Sequence, residues 1–169
     1  RIEDSVVAVT GGASGLGEAV ARRCIDEGAA GVAIIDVNAD AATSLASELG
    51  ERALALPCDV RQPNNVTQAM STVAEKFGHL NLAVSCAGVG WAERTLAKDG
   101  SPADLDAYRR IIEINLIGTY DFARQAASLM AKNEPNTSGE RGAIVMTASL
   151  AAFDGQIGQS AYSASKGGL

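Results

Sequence analysis

Three polar residues near the end of the sequence have the types and the spacing of a proton-transfer site. Ser149 is followed by Tyr162 thirteen residues later, and Lys166 comes four residues after Tyr162. Residues four apart lie on one face of a helix, so the Lys166 ammonium can approach the Tyr162 phenol. A phenol with a pKa of about 10 is a poor base at neutral pH, but nearby positive charge favours the phenolate. Tyr162 would then take or give a proton while Ser149 hydrogen-bonds the oxygen of a substrate.

Such a pair is not specific by itself. A tyrosine and a lysine four residues apart on a helix are more often a packed ring beside a lysine whose ammonium reaches water. The pair gains weight from a second stretch, VTGGASGLG, which spans residues 9–17 and contains four glycines in nine positions. The site hypothesis therefore depends on what this stretch binds.

The glycine stretch is typical of a phosphate-binding turn between a strand and a helix. Its spacing is T-G-x-x-x-G-x-G, beginning at Thr10. The first glycine allows a tight turn, and the later two let the backbone approach a ligand and the helix pack on the strand. Free N–H groups at the positive end of the helix dipole can bind phosphate oxygens. A glycine-rich turn without a ligand is the alternative. The residues predicted to contact the cofactor here are Gly11, Ser14, Gly15, Leu16 and Gly17.

Asp36 indicates which dinucleotide the turn would bind. It ends the predicted second strand nineteen positions after Gly17, close to the offset of about 20 residues at which a carboxylate accepts hydrogen bonds from the adenosine ribose. A carboxylate there repels a 2′-phosphate, and neither Ser14 nor Val37 supplies a cation, so we expect NAD rather than NADP. Alternatively, Asp36 caps the next helix, although Asn38 or Asp40 could do so instead.

The elements that must position these residues form an alternating pattern. Short apolar runs predict strands at 5–10, 31–36, 53–60, 82–88 and 143–149. Helices are predicted at 16–27, 39–49, 63–77, about 102–132 and about 159–169. The first helix would bury its apolar side, formed by Ala19, Val20, Cys24 and Ile25. Strands that are buried on both faces and separated by helices predict a doubly wound parallel sheet of the α/β class. Asp59 and Val60, at the end of the third strand, would then lie beside an adenine ring.

Composition argues against several other classes of function. The net charge of −6 disfavours nucleic acid or an anionic membrane as a partner, and no apolar run approaches the length of a membrane span. The three cysteines form no C-x-x-C pair, and the one histidine, His79, has no metal-ligand spacing to another residue. We therefore expect no metal site and a reducing compartment, either the cytoplasm or, in a eukaryote, the mitochondrial matrix.

Taken together, the T-G-x-x-x-G-x-G turn and the Y-x-x-x-K pair with its upstream serine resemble the short-chain dehydrogenase/reductase family along the whole chain. The resemblance implies a Rossmann fold and the catalytic set Asn115, Ser149, Tyr162 and Lys166, with Tyr162 and Lys166 also contacting the cofactor. Asn115 would hold a water that connects Lys166 to solvent. A buried hydrogen bond would explain Asn115 equally well.

The family's N-N-A-G segment appears here as Ser85-Cys86-Ala87-Gly88. The resemblance implies that Cys86, Ala87 and Gly88 lie beside the cofactor. Because a thiol cannot make the hydrogen bonds of an amide, we expect the strand to be braced differently. Cys86 is either a redox-sensitive thiol or a small buried apolar group.

Closer similarity points to the type II 3-hydroxyacyl-CoA dehydrogenase subgroup. It is carried by the segments CAG, NEP and TAS-x-AAF-x-GQ-x-GQ-x-AYSASKGG, and by the extra loop at 91–101. The implied reaction is reversible oxidation of a 3-hydroxyacyl-CoA with NAD, with steroid or other alcohols as alternative substrates. Ser149, Gln156 and Tyr162 would contact the substrate, although Gln156 could be an exposed loop amide. A non-catalytic dinucleotide sensor or assembly subunit is the other class of function considered.

We expect residues 1–169 to form one NAD-binding domain whose C-terminal strands are missing from the sequence. A strand at 143–149 on a sheet edge would leave apolar residues and ladder groups uncovered. The resemblance also implies that the last helix pairs with its copy in another subunit. The functional protein is therefore expected to have roughly 250 residues in one domain and to form a homo-oligomer, with a tetramer as the expected state.

Overall fold

The computed structural model describes residues 1–169 and consists of strands and helices in alternation. The strands are β1 (Val6–Thr10), β2 (Gly31–Asp36), β3 (Ala53–Pro57), β4 (Leu82–Ser85) and β5 (Ala143–Met146). The helices are α1 (Gly15–Asp26), α2 (Ala39–Leu49), α3 (Pro63–Phe77), α4 (Leu105–Ile112), a π-helical segment (Glu113–Gly118), α5 (Thr119–Met130), a 3₁₀ turn (Leu150–Ala152) and α6 (Ser160–Gly168). No helix combines the length and the apolar character that crossing a membrane requires.

All five strands are parallel and follow the order β3-β2-β1-β4-β5, which confirms the predicted doubly wound sheet. The central strand β1 pairs with β2 on one side and with β4 on the other. The chain therefore leaves β1 in one direction and later returns to its opposite side. Ligands bind at such a switch point in open α/β sheets, outside the carboxyl ends of the strands.

Alternate residues of β1 face two separate apolar clusters. Val6 and Ala8 pack with residues of α3 and α5, whereas Val7 and Val9 pack with residues of α1 and α2. Each face of the sheet is thus covered by helices, and every residue of β1 is buried. This is why the strand has no alternation of apolar and polar residues.

The predicted apolar side of the first helix is partly wrong. Ala19 is exposed, and the buried stripe consists of Gly17, Ala21, Cys24 and Ile25. These positions follow the i, i+4, i+7, i+8 spacing of one helix face, and Ala19 lies on the opposite side.

Three strands end earlier than the sequence predicted. β3 ends at Pro57 rather than at 60, β4 at Ser85 rather than at 88, and β5 at Met146 rather than at 149. Beyond each end, the N–H groups of Cys58, Cys86 and Thr147 still donate to the neighbouring strand, but the strand pairing does not continue past them. Asp59, Val60 and Ser149 consequently lie in loops and not at strand ends.

β5 is an edge strand that pairs with β4 alone. Val145 is 50% exposed and Met146 is 40% exposed, as expected for an apolar strand that lies uncovered at the edge of the sheet. Only Ile144 packs against the neighbouring core.

The long helix predicted over about 102–132 has a later start and a changed middle. Pro102 forms an isolated antiparallel bridge with Leu96, and Asp104 caps α4 by accepting a hydrogen bond from the Asp106 N–H at 2.9 Å. α4, the π-helical segment and α5 then follow without a break. Inside the π-helical segment, a side chain on Gly118 would collide with Val60, so close packing fixes this stretch against the loop after β3.

Candidate active site

A cavity of about 450 Å³ lies along the carboxyl ends of β1 to β4. Eleven of the residues predicted to contact a cofactor line it together: Gly11, Ser14, Gly15, Leu16, Gly17, Asp36, Asp59, Val60, Cys86, Ala87 and Gly88. Of the remaining lining residues, Val37 was considered from the sequence because it lies beside Asp36; the others were not singled out, and they are Ile35, Cys58, Arg61, Val89, Arg110 and Ile114. These residues lie together because the strands are parallel, so the carboxyl ends of β1 to β4 are at the same end of the sheet.

The glycine turn leaves both space and hydrogen-bond donors at one end of α1. Gly15 has a φ of +53°, and a Cβ added to it would meet no atom within 4 Å. A Cβ on Gly17 would collide with the Gly11 carbonyl, so Gly17 serves packing of the helix against the turn. The first intrahelical bond joins the Glu18 N–H to Ser14, which leaves the earlier N–H groups of the helix without a backbone acceptor. These features fit a phosphate group.

Two backbone N–H groups hold the Asp36 carboxylate at the end of β2. Ala13 donates to Oδ2 at 3.0 Å, and Asn38 donates to Oδ1 at 2.9 Å. The cap of α2 is the Asn38 side chain, which accepts from the Ala41 N–H at 3.1 Å. Asp36 is therefore not the capping residue and keeps acceptor capacity toward the cavity. Val37, 73% exposed beside it, supplies no cation, and this fits a ribose without a 2′-phosphate.

Asp59 forms an ion pair with Arg61 at the β3 end of the cavity. The Arg61 Nη2 lies 2.5 Å from Oδ2, and the Arg61 backbone N–H also donates to Oδ1 at 3.0 Å. Hydrogen bonds from the Arg61 side chain hold the pKa of the Asp59 carboxyl below its ordinary value. Arg61 carried no motif in the sequence, so its contact with Asp59 was not expected.

Hydroxyl groups brace the turn after β4. Ser85 accepts a hydrogen bond from Thr10 Oγ1 at 3.4 Å and shares another with Thr119 Oγ1 at 3.1 Å. The Cys86 N–H donates to the Thr10 carbonyl at 3.0 Å. Cys86 is half-buried, and its Sγ accepts from Thr147 Oγ1 at 3.7 Å. This small-residue network binds the turn to β1 and α5.

Asn115 is fully buried in the π-helical segment and connects two parts of the site. Its Oδ1 accepts from the Val89 N–H at 2.8 Å, and its Nδ2 donates to the Val89 carbonyl at 2.9 Å and to Ser165 Oγ at 3.2 Å. Ser165 in turn donates to the Tyr162 carbonyl at 2.7 Å. The buried hydrogen bond that was considered for Asn115 is therefore present, and it joins the β4 turn to α6. Neither Ser165 nor Val89 was singled out from the sequence.

Tyr162 and Lys166 lie on the same side of α6, as their spacing predicted. The Lys166 Nζ lies 5.8 Å from the centre of the Tyr162 ring and donates to the Thr147 carbonyl at 2.6 Å. Lys166 is only 7% exposed, and this burial lowers the pKa of its ammonium, with the nearby Cys86 acting in the opposite direction. Thr147 was missed because it contacts Lys166 through a main-chain oxygen.

Five predicted residues lie outside the cavity lining, namely Asn115, Tyr162 and Lys166, described above, and Ser149 and Gln156. Ser149 caps the short 3₁₀ turn, and its Oγ accepts from the Ala151 N–H at 3.2 Å. The turn packs against α6, which brings Ser149 to the side of the site that carries Tyr162. Gln156 is exposed in the loop before α6 and is not brought into the cavity.

Comparison with known proteins gives a consistent result. The family model for short chain dehydrogenases matches residues 5–169. The chain is 47% identical to the 3-hydroxyacyl-CoA dehydrogenase type-2 of Drosophila melanogaster over 98% of this chain and 65% of that protein. It is 41% identical to the human protein of that name, over 99% of this chain and 64% of the relative.

A solved structure agrees with these relatives. The crystal structure of 3-hydroxyacyl-CoA dehydrogenase type-2 from Mycobacterium avium superimposes with a TM-score of 0.91 at 44% identity, over 98% of this chain and 64% of that one. The chain thus spans slightly less than two thirds of the length of the relatives it matches. The similarity covers the glycine turn, the sheet and the α6 pair together. The chain belongs to the short-chain dehydrogenase family.

Proposed function

We propose that the protein is an NAD-dependent oxidoreductase that interconverts a secondary alcohol and a ketone, with a 3-hydroxyacyl-CoA as the alcohol. The observation that carries the proposal is the contact of Lys166 with both the Thr147 carbonyl and the face of Tyr162. This arrangement keeps the buried Lys166 ammonium beside the Tyr162 phenol, close to the carboxyl end of β5. The names of the relatives supply the acyl-CoA substrate, which the geometry of this chain does not select by itself.

In the proposed oxidation, the alcohol loses a hydride to NAD and a proton to Tyr162. When bound, NAD would accept the hydride that leaves the carbinol carbon. Tyr162 takes the hydroxyl proton as the phenolate, and the neighbouring Lys166 ammonium favours that charged form. Ser149 orients the substrate oxygen by a hydrogen bond. In the reverse direction the phenol returns the proton to the ketone oxygen.

The residues of the cavity support NAD as the cofactor. The first turn of α1 offers N–H groups to phosphates, and Asp36 offers a fixed carboxylate to a ribose. Tyr162 and Lys166 would contact the other half of the cofactor. Because a carboxylate repels a 2′-phosphate, the proposal includes a preference over NADP.

The proposal also covers the oligomeric state of the protein and its cellular compartment. Ile117 and Tyr120, which are 55% and 66% exposed, give the long helix an apolar outer surface that suits a homotetramer. The three free thiols suit a reducing compartment such as the cytoplasm or the mitochondrial matrix. Sedimentation of the full-length protein tests the first part, with a stable monomer as the contrary result.

The activity is tested with full-length protein, acetoacetyl-CoA and NADH, by following the loss of NADH absorbance. Turnover that requires Tyr162 supports the proposal. NADH binding without turnover of any ketone would instead indicate a non-catalytic sensor. Turnover of a steroid ketone but not of the acyl-CoA would retain the chemistry and replace the substrate.

A further inference from the structure

Thr147 follows the last residue of β5 and is attached to β4 by both its main chain and its side chain. Its N–H donates to the Ser85 carbonyl at 3.1 Å, and its Oγ1 donates to the same oxygen at 2.8 Å. A hydroxyl has one hydrogen, and the Ser85 carbonyl is a closer acceptor than the Cys86 sulfur at 3.7 Å. Thr147 is therefore fixed to β4 just beyond the end of the strand pairing.

The carbonyl of Thr147 in turn holds the Lys166 ammonium. Nζ donates to it at 2.6 Å, and Lys166 belongs to none of the ion pairs of the structure. A neutral oxygen offsets part of the cost of burying the ammonium without cancelling its charge. That charge therefore continues to act on the Tyr162 phenol, whose ring centre lies 5.8 Å from Nζ.

The hydroxyl of Thr147 affects the Lys166 contact through geometry. With the N–H and Oγ1 both bound to one oxygen of β4, the carbonyl of Thr147 can move chiefly by rotation about the Cα–C bond. Without the hydroxyl, a single hydrogen bond would attach the residue to β4, at a point where the ladder has already ended at Met146. The acceptor of the ammonium would then be less well fixed.

We propose that Thr147 is a positioning residue whose hydroxyl fixes the peptide that holds the Lys166 ammonium beside the Tyr162 phenol. Thr147 does not contact the reacting atoms, and its influence reaches Tyr162 through Lys166. The inference rests on the proposed function, because that function assigns proton transfer to Tyr162.

The other titratable groups around this pair are few. α4, the π-helical segment and the 3₁₀ turn pack against α6. The titratable side chains on these elements are exposed and form no ion pair with Lys166, and they are Asp106, Tyr108, Arg109, Arg110 and Glu113. Cys86, in the turn after β4, acts on the pKa of Lys166 in the direction opposite to burial. An effect of Thr147 must therefore be separated from an effect of Cys86.

Three substitutions in the full-length protein separate the hydroxyl of Thr147 from its shape. Thr147→Val keeps the branched shape and loses the hydroxyl, whereas Thr147→Ser keeps the hydroxyl and loses a methyl group. Thr43→Val is the matched control, because it removes a hydroxyl that donates to the Ala39 carbonyl at the same 2.8 Å, on the exposed side of α2. The Ser85 carbonyl keeps the bond from the N–H of residue 147 in every variant, so all are expected to fold, as urea unfolding will verify.

The first readout is the pH dependence of the oxidation of 3-hydroxybutyryl-CoA by NAD. Because the phenolate is the base, the rate rises with pH along an acid limb. In Thr147→Val the ammonium favours the phenolate less, so the midpoint of this limb should move upward by about 0.5 to 1 pH unit. Turnover near neutral pH should fall by about three- to tenfold and recover at higher pH.

The controls should leave that midpoint where it is. Thr147→Ser and Thr43→Val are expected to match the unmodified protein. In a Cys86→Ala background, Thr147→Val should cause the same upward movement, because the effect passes through Lys166 and not through the thiol.

A second readout needs neither substrate nor cofactor. The tyrosinate absorbance that the unmodified protein shows and Tyr162→Phe lacks gives the pH at which this phenol ionises. Thr147→Val should raise that pH by the same amount as it moves the acid limb, and Thr147→Ser should not.

Several results would overturn the inference. In one, Thr147→Val changes neither the acid limb nor the tyrosinate titration; in another, Thr147→Ser or Thr43→Val changes them equally. Loss of the effect in the Cys86→Ala background would assign it to the thiol, and failure of Thr147→Val to fold would assign the hydroxyl to stability. If the unmodified protein oxidises no alcohol, the proposed function fails, and the tyrosinate titration by itself decides whether Thr147 acts on Tyr162.

Discussion

The Asn115 side-chain amide donates a hydrogen bond to the Ser165 hydroxyl over 3.2 Å, and that hydroxyl donates to the Tyr162 carbonyl over 2.7 Å. A buried residue of the π-helical segment is thereby connected to α6, the helix that carries Tyr162 and Lys166. The other polar contacts of the Asn115 amide hold both backbone groups of Val89. One side chain therefore ties the β4 turn to α6. π-Helical segments are often found at functional sites, and this contact gives a physical reason for the one seen here.

Asn115→Ala is expected to lower both stability and activity. The change removes both hydrogen bonds between the Asn115 side chain and the Val89 backbone, and each such hydrogen bond contributes about 0.5–1.5 kcal/mol. Denaturant unfolding and steady-state kinetics of the full-length protein measure the two effects. Asn64→Ala is the control, because Asn64 is exposed in the first turn of α3. Equal losses in the two variants would contradict the role of Asn115.

Tyr162→Phe is expected to reduce turnover by about 10²- to 10⁴-fold, the range typical of general acid–base catalysis. The ring stays in contact with Lys166 while the exchangeable proton is lost, so the affinity for NADH should change little. Turnover and NADH titration of the variant are compared with those of the unmodified full-length protein. Turnover by Tyr162→Phe within a few-fold of the parent would rule out the mechanism.

Asp36→Ala is expected to weaken NADH binding and to reduce the discrimination against NADPH. The substitution removes a carboxylate that two backbone N–H groups hold at the end of β2. A second substitution, Val37→Arg, should reduce the discrimination against NADPH further, because a cation at position 37 would attract the 2′-phosphate. Titration with both dinucleotides measures the change, with Asp40→Ala as the charge-matched control on the exposed surface of α2. Equal use of NADP and NAD by the parent would refute the role of Asp36.

Replacing Gly15 or Gly17 with alanine is expected to have different effects, on cofactor binding in the first case and on folding in the second. In Gly15→Ala the Cβ meets no protein atom, but the φ of +53° costs about 1–2 kcal/mol. We expect a folded protein that binds NADH poorly, because the methyl group occupies the space left for a phosphate. In Gly17→Ala the Cβ collides with the Gly11 carbonyl, so we expect loss of the fold. Thermal unfolding and NADH titration separate the two, and identical behaviour would contradict these roles.

The buried Cys58 thiol is expected to make stability fall in alkali. Burial, with smaller effects of Asp59 and Asp121, raises the pKa of Cys58 from 9.0 to about 11. Above pH 9 the unfolded chain loses this proton while the folded chain keeps it, so unfolding becomes more favourable as the pH rises. The resulting loss is about 2–3 kcal/mol between roughly pH 9 and 11.

Cys58→Ala isolates this effect from the titration of other groups. The stability advantage of the parent over the variant, measured by urea unfolding, should shrink as the pH rises from about 8 to about 10.5. Cys86→Ala, which removes a less buried thiol, serves as the comparison. An advantage that stays constant over this range would contradict the raised pKa.

Local signals in the sequence were sufficient to predict the class of fold and the part of the cavity lining formed by the glycine turn and Asp36. Apolar runs separated by helical periods predicted the parallel sheet, because strands covered on both faces need no polar side. Asn38, one of the two cap candidates for α2, acts on a neighbouring backbone N–H and was recognisable from the sequence. The glycine turn and Asp36 were predicted to share a site, since parallel strands bring their carboxyl ends to one edge.

The tertiary structure alone decided which atoms hold the predicted residues. Lys166 is held by the carbonyl of Thr147, and Asn115 is held by the backbone of Val89. Both partners contribute main-chain atoms, which every residue possesses and no motif can mark. The last residues of β3, β4 and β5 could not be predicted either, because strand pairing ends where tertiary packing, and not local sequence preference, requires it. The sequence by itself determined the chemical groups and the order of the elements, while the contacts that orient those groups depended on the packing of distant segments.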